Sequence, residues 1–449
     1  MVFILARPQE FLPLLQRVPF LHLFTVLAVL GWVIDVRLRR LQPIATPALP
    51  WVLGFLGWAL VCTAIVVPEQ LPSKGVELAI LFALYGTIAH GVQRFRTLQA
   101  VASVLVATCV FIAFVCFHQG LAPTQCVGGE ESSNELRGKP DGRLCETSEQ
   151  CLGPDAEPGL EYRCEHVGLV GTYSVEKRVR YRGELQDPNE VALTISAGAL
   201  SLLVAFIRRK KGVVAKVGLG VVCVMVIAML WMTESRGGQV AALLVFFVYL
   251  VKRYRWLAVI PAGLLALPVM LLGGRGGADA EQSTMERYEA WATGLKLFQH
   301  SPIWGVGAGQ FTEHHYLTAH NSFVLALAEL GFPGLFLFVC VIYVSMKTLV
   351  VGVRRLSKIP GADVAEAWGV ALLASFAGIV FQINTLSFTY HSVLWIFLGL
   401  IGAWAGAVRF HRPDFRVTLG WKDLLGIFGG CVAYVGILLP ALLKAKGEL

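Results

Sequence analysis

Residues 320–346 read HNSFVLALAELGFPGLFLFVCVIYVSM. A titratable His and an Asn stand immediately before an apolar run longer than the roughly 20 residues a bilayer core requires. One Glu, at 329, interrupts that run, and a Gly-Phe-Pro-Gly break follows at 331–334. Pro333 removes a helical hydrogen bond, so the pattern predicts a bend at 331–334 and a longer span beyond it. Glu329 is expected near the bend, bonded either to backbone freed by Pro333 or to a cavity arginine.

The rest of the 449 residues agrees with this reading: 56% are hydrophobic and only 15% charged, far from the composition of soluble domains. Spans are expected near 20–36, 50–67, 76–92, 98–118, 190–207, 213–232, 238–251, 256–273, 321–346, 364–386, 389–408 and 423–443. The fold class is therefore an all-α polytopic membrane protein of about 12 transmembrane helices, since a membrane β-barrel would show short alternating segments. The N-terminal stretch, broken by Pro8 and Pro13, reads as a short or half-inserted helix, not as a cleavable leader.

The formal net charge of +8 is concentrated in alternate short connections: Arg37 to Arg40, Arg94 and Arg96, RRKK at 208–211, KRYR at 252–255, RRLSK at 354–358 and RFHRPDFR at 409–416. By the positive-inside rule these loops are cytoplasmic. Basicity thus reports topology and calls for no nucleic acid. The opposite face receives two long polar segments. The segmentation is 1–118 N-terminal helices, 119–189 a cysteine-bearing external loop, 190–273 central helices, 274–320 a second external loop, and 321–449 C-terminal helices.

Cys126, Cys145, Cys151 and Cys164 lie in the first external loop, which reads as a crosslinked loop, not a packed domain. Four cysteines in an exported segment suggest two disulfides with three possible pairings. A zinc site is the alternative, although no paired CxxC spacing supports it. The other six cysteines occupy apolar spans. In the second loop, Tyr288, Trp291, Leu295 and Phe298 recur at helical spacing, predicting an amphipathic helix over about 284–299.

On the outer side the ionisable groups are Arg236 in TESRGG, Arg275 in GGRGG, Arg287 at the start of the amphipathic helix, and His320. Arginines at membrane level need a counter-charge, and a diphosphate would supply one, because guanidinium forks bind phosphate oxygens bidentately. The competing reading is a snorkelling arginine for Arg236, a solvated one for Arg275 and local pairing with Glu281, Glu286 or Glu289 for Arg287. His320 has the pKa range of a general base, though a His at a helix start also serves as a cap. His314 and His315 are its neighbours, and no acidic or cysteine set completes a metal site around them. SPIWGVGAGQF (301–311) reads as a close-packed turn, and DPNE (187–190) as a helix cap with Asp187 at N-cap and Pro188 at N1.

His320, Asn321, nine residues, Gly331, two residues and Gly334 fit the pattern His-[Asn/Ser/Gln]-x9-Gly-x-x-Gly. Upstream, Arg287, Trp291 and Pro302-x-x-Gly-x-Gly-x-Gly-x-Phe311 fit a second pattern of the same group. The chain resembles the O-antigen ligase/polymerase superfamily, which includes lipopolysaccharide O-antigen ligases and Wzy-type polymerases. The resemblance implies a GT-C-like glycosyltransferase using undecaprenyl-diphosphate-linked glycan at the periplasmic face of the bacterial inner membrane. The acceptor would be lipid A–core or another lipid-linked glycan. It implies His320 as the catalytic residue, with Arg287 and Arg236 on the diphosphate; by position alone Arg275 joins them as a diphosphate candidate, and Asn321 and Glu329 as supporting residues. No cofactor or metal is expected, and the transfer would invert the anomeric centre. A lipid-linked-oligosaccharide flippase or transporter is the alternative, but neither paired repeats nor inverted broken helices are visible.

Overall fold

The computed structural model describes residues 1–15, 18–42, 44–128, 138–152, 162–200, 202–204, 206, 212–254, 257, 260 and 278–448. Nine helices among these are long and apolar enough to cross a membrane, and two shorter apolar helices, Pro188–Val204 and Arg236–Val251, accompany them. The expected span at 256–273 lies almost entirely outside the described residues. The chain is a mostly helical, multi-pass membrane protein.

Internal contacts divide it into two compact units, Met1–Leu21 with Ser103–Arg275, and His22–Ala102 with Gly276–Leu449. In chain order the α-helices of eight residues or more among the described residues are α1 (Phe20–Arg37), α2 (Leu49–Val66), α3 (Leu71–Gly91), α4 (Phe95–Leu121), α5 (Pro188–Ile195), α6 (Val213–Met232), α7 (Arg236–Tyr254), α8 (Ala278–His300), α9 (Ser322–Leu356), α10 (Asp363–Gln382), α11 (Ser392–His411), α12 (Trp421–Ala433) and α13 (Leu439–Lys446).

In the first unit the cysteine-bearing segment adds a small element to the helical fold. It holds a three-stranded antiparallel sheet of order β2-β1-β3, with β1 Thr124–Gly128, β2 Pro140–Leu144 and β3 Tyr162–His166. Cys126 is bonded to Cys151 and Cys145 to Cys164, with Cα separations of 5.5 and 5.9 Å, ordinary disulfide spacings. With Tyr162 these cysteines form the module's buried core. The segment is thus a small crosslinked sheet, and the disulfides do the work that so few apolar side chains cannot. Glu165, buried, accepts bonds from Ser174 Oγ (2.5 Å) and from the amides of Glu176 (2.7 Å) and Lys177 (3.0 Å), which closes the turn after β3. The Asp187 side chain accepts from the Asn189 amide at 2.7 Å, with Pro188 opening α5.

In the second unit α9 is central: it packs against α2, α8, α10, α11 and α12. It is longer than the 321–346 expectation and runs to Leu356. Its N-terminal part is nearly all buried, including Leu327, Ala328, Glu329 and Leu330. The amphipathic helix α8 likewise exceeds its expected bounds and begins at Ala278. Its buried residues Ala290 and Leu295 share one apolar core with Ala319, Val324 and Ala328, flanked by Tyr288, Trp291 and Phe298. Packing against α9 therefore holds α8.

Candidate active site

Gly331 breaks α9 with φ 65° and ψ −170°, a backbone region essentially confined to glycine. The break and Pro333 together orphan several backbone groups, and a buried orphan is costly. Each finds a partner outside the helix. The carbonyl of Ala328 accepts from the Val306 amide (3.0 Å), that of Glu329 from the Gly307 amide (2.9 Å), and that of Leu330 from Trp58 Nε1 (2.9 Å). The Phe332 amide donates to the Pro302 carbonyl at 2.8 Å. Trp58 also stacks on Trp304, with ring centroids 5.2 Å apart.

The glycine-rich loop 301–311 is therefore a lock seated on the kink. A Cβ at Gly305 would lie 2.3 Å from the Glu329 carbonyl carbon, and one at Gly331 2.3 Å from the Ile303 oxygen. Backbone meets backbone here, so neither position has room for a side chain.

Glu329 does not use the acceptors expected from sequence. Its carboxylate accepts from the amides of Gly309 (2.8 Å) and Phe311 (3.1 Å), so its donors are loop backbone and not the backbone freed by Pro333. The Tyr390 hydroxyl is electrostatically coupled to the same carboxylate. Burial, then the Glu329 charge, pushes the Tyr390 phenol well above its usual range. Lys74, ion-paired to Glu77 at 2.9 Å, places its ammonium beside Gly309.

His320 precedes the α9 N-cap, half-buried, with φ 43°. A non-glycine residue at positive φ is uncommon, though His is among the tolerated types. Bonds made by the next two residues anchor the backbone beside it. The Asn321 side chain caps α9 by accepting from the amides of Phe323 (2.9 Å) and Val324 (3.2 Å), and its Nδ2 donates to the Tyr434 hydroxyl at 3.3 Å. Tyr434 opens a π-helical turn, Tyr434–Leu438. Ser322 is stitched to the 383–389 segment: its amide donates to Ile383 O (2.8 Å), its hydroxyl donates to Leu386 O (2.7 Å) and accepts from the Phe388 amide (2.8 Å).

His314 is exposed. The ring of His315 stacks on Tyr316 at 4.6 Å, and its Nδ1 engages the Leu317 backbone at 3.1 Å. Arg287 lies half-buried on α8, so the shared core places the helix of Arg287 and the segment bearing His320 on one body. Arg236 belongs to the other unit, exposed at the first position of α7, where Ser235 Oγ accepts from the Gly238 amide at 3.1 Å. Arg275 lies outside the described residues. Arg178, not singled out from the sequence, donates to Thr233 O just before Arg236 (2.9 Å) and reaches Asn189 at 3.4 Å. Burial pushes its guanidinium down from its ordinary value, against Asp187 and Glu234. Among the described residues, the one cluster with metal-ligand spacing is Cys126, Cys145 and Cys151, whose sulfurs the two disulfides use.

The segment from α6 to the middle of α9 is thus where the exposed arginine, the glycine lock and the His that precedes the α9 cap occur in order. Residues 221–339 match the O-antigen ligase family model. The match supports the O-antigen ligase/polymerase superfamily and a function of that general type, with lipid-linked glycan substrates. It includes Arg236, Arg287, His320 and Glu329, and all of the kink with its lock. No curated protein gives a significant match to the chain. Sequence reasoning missed Ser322, Trp58, Tyr390 and Tyr434, whose roles depend on partners far away in the chain.

Proposed function

We propose that this O-antigen ligase-type protein transfers a glycan from undecaprenyl diphosphate to an acceptor sugar hydroxyl at the periplasmic face of the inner membrane. The observation carrying this reading is the family match over 221–339, which encloses His320 and both candidate arginines. His320 takes the proton of the acceptor hydroxyl as its oxygen attacks the anomeric carbon, a contribution on the order of 10²–10⁴-fold. The bond from that carbon to the diphosphate oxygen breaks, and the electron pair leaves with undecaprenyl diphosphate. Arg236 and Arg287 stabilise the charge that builds there. Direct displacement inverts the anomeric centre, and the reaction needs no metal.

Support for His320 as the base is positional. Asn321 and Ser322 fix the backbone on its C-terminal side, and Ala319 is buried on the other. Such anchoring pre-orients a side chain at little cost during reaction. Purified protein with a synthetic lipid-diphosphate glycan and an acceptor tests the proposal. His320→Ala is expected to abolish transfer with the protein still folded, while His314→Ala, His315→Ala and added EDTA leave turnover near native. A folded His320→Ala protein with native turnover would overturn it.

A further inference from the structure

A cavity of about 510 Å³ runs between α9 and α12 in the second unit. Leu335 and Val339 form one wall, and Gly426, Ile427 and Gly430 the other. Neither Gly426 nor Gly430 has an atom within 4 Å of the position a Cβ would take. The missing side chains therefore make the cavity: no close helix contact requires glycine there. Outside it, Leu425, Phe428 and Val432 are exposed apolar residues on the same helix, as expected of a face turned to lipid.

The two ends differ. At one end Tyr434, the partner of Asn321, closes the groove. At the other are Lys422, Asp423 and Tyr343. Asp423 is already satisfied by Lys347 Nζ (2.7 Å), the Gly420 amide (2.8 Å) and the Tyr343 hydroxyl (3.1 Å). Lys422 has no carboxylate partner among the described residues and rests 5.7 Å from the Trp421 ring. Two lysines against one carboxylate leave a positive charge at the mouth of an apolar groove. From Lys422 to Tyr434 the helix rises roughly 18 Å at about 1.5 Å per residue. One leaflet of hydrocarbon is about 15 Å deep.

We infer that the groove holds one acyl chain of an anionic phospholipid, with the headgroup phosphate on Lys422. The length matches one leaflet, the walls are apolar, and the charge at the mouth is complementary to phosphate. The site takes a resident membrane lipid from the leaflet beside the basic segment 409–416. It is independent of the glycan-transfer reading.

Native mass spectrometry of the full-length protein, released from detergent with added phosphatidylglycerol or phosphatidylcholine, tests this. The native protein is expected to retain one phosphatidylglycerol in preference to phosphatidylcholine. Gly430→Leu fills open space, so it should fold normally and lose the retained lipid. Lys422→Glu should keep the groove but bind phosphatidylglycerol on the order of tenfold more weakly. Equal lipid retention by folded Gly430→Leu and Lys422→Glu would mean annular lipid only and overturn the site. So would finding a polyprenyl phosphate, or a second copy of the chain, in place of the phospholipid.

Discussion

The backbone amide of Gly309 lies 2.8 Å from a carboxylate oxygen of Glu329, twenty residues further along the chain. With the Phe311 amide on the other oxygen, one buried side chain holds both the end of the glycine loop and the helix that begins at the candidate base. Glu329→Gln keeps the shape but presents an NH₂ group to one of the two amide donors. The expected result is a loss of about 1–3 kcal/mol, read as a lower unfolding temperature in detergent, together with reduced transfer. Unchanged stability and turnover would remove Glu329 from the lock.

Gly331→Ala should be more severe. The backbone there is in a region closed to other residues, a strain of about 1–3 kcal/mol, and the new Cβ would fall 2.3 Å from the Ile303 oxygen. Gly429→Ala, in open space, is the control and should be neutral or slightly stabilising. Thermal unfolding of the three proteins side by side gives the answer.

The proposed diphosphate contacts of Arg236 and Arg287 depend on the guanidinium fork, not on charge alone. Arg236→Lys and Arg287→Lys should each fold and lose most turnover, about 3 kcal/mol if one preorganised contact disappears. Steady-state rates with the lipid-linked donor measure it. Normal rates in both variants would end the clamp assignment.

Peptide mapping of the unreduced protein should recover Cys126 joined to Cys151 and Cys145 joined to Cys164. The bridged positions are 25 and 19 residues apart, so each closure restricts the unfolded loop by about 3 kcal/mol. Replacing either pair with serine should raise protease sensitivity across 124–166 while leaving transfer largely intact. Recovery of Cys126 joined to Cys164 or to Cys145 would overturn this pairing; Cys126 and Cys164 are register partners across β1 and β3 yet bond to different cysteines.

Hydropathy alone determined the helical, membrane-spanning character of this chain, because burying backbone in lipid admits few solutions and each leaves a run of apolar residues about 20 long. Local chemistry was legible too: Asp187 and Pro188 start a helix, and Gly331 with Pro333 bends one. What tertiary structure alone decided is how the bend is satisfied and where Glu329 points. Apart from the Trp58 indole, 272 residues away from Leu330 in the chain, the donors are main-chain amides within 306–311; any sequence supplies amides, so no residue type marks them. The small sheet was hidden for a related reason. Its core is four cysteines and a tyrosine, and its strands are five residues each, too short and too polar to show alternation. The capping of Asn321 was readable from its position before an apolar run, but its bond to Tyr434, 113 residues away, exists only because α9 and α12 pack together.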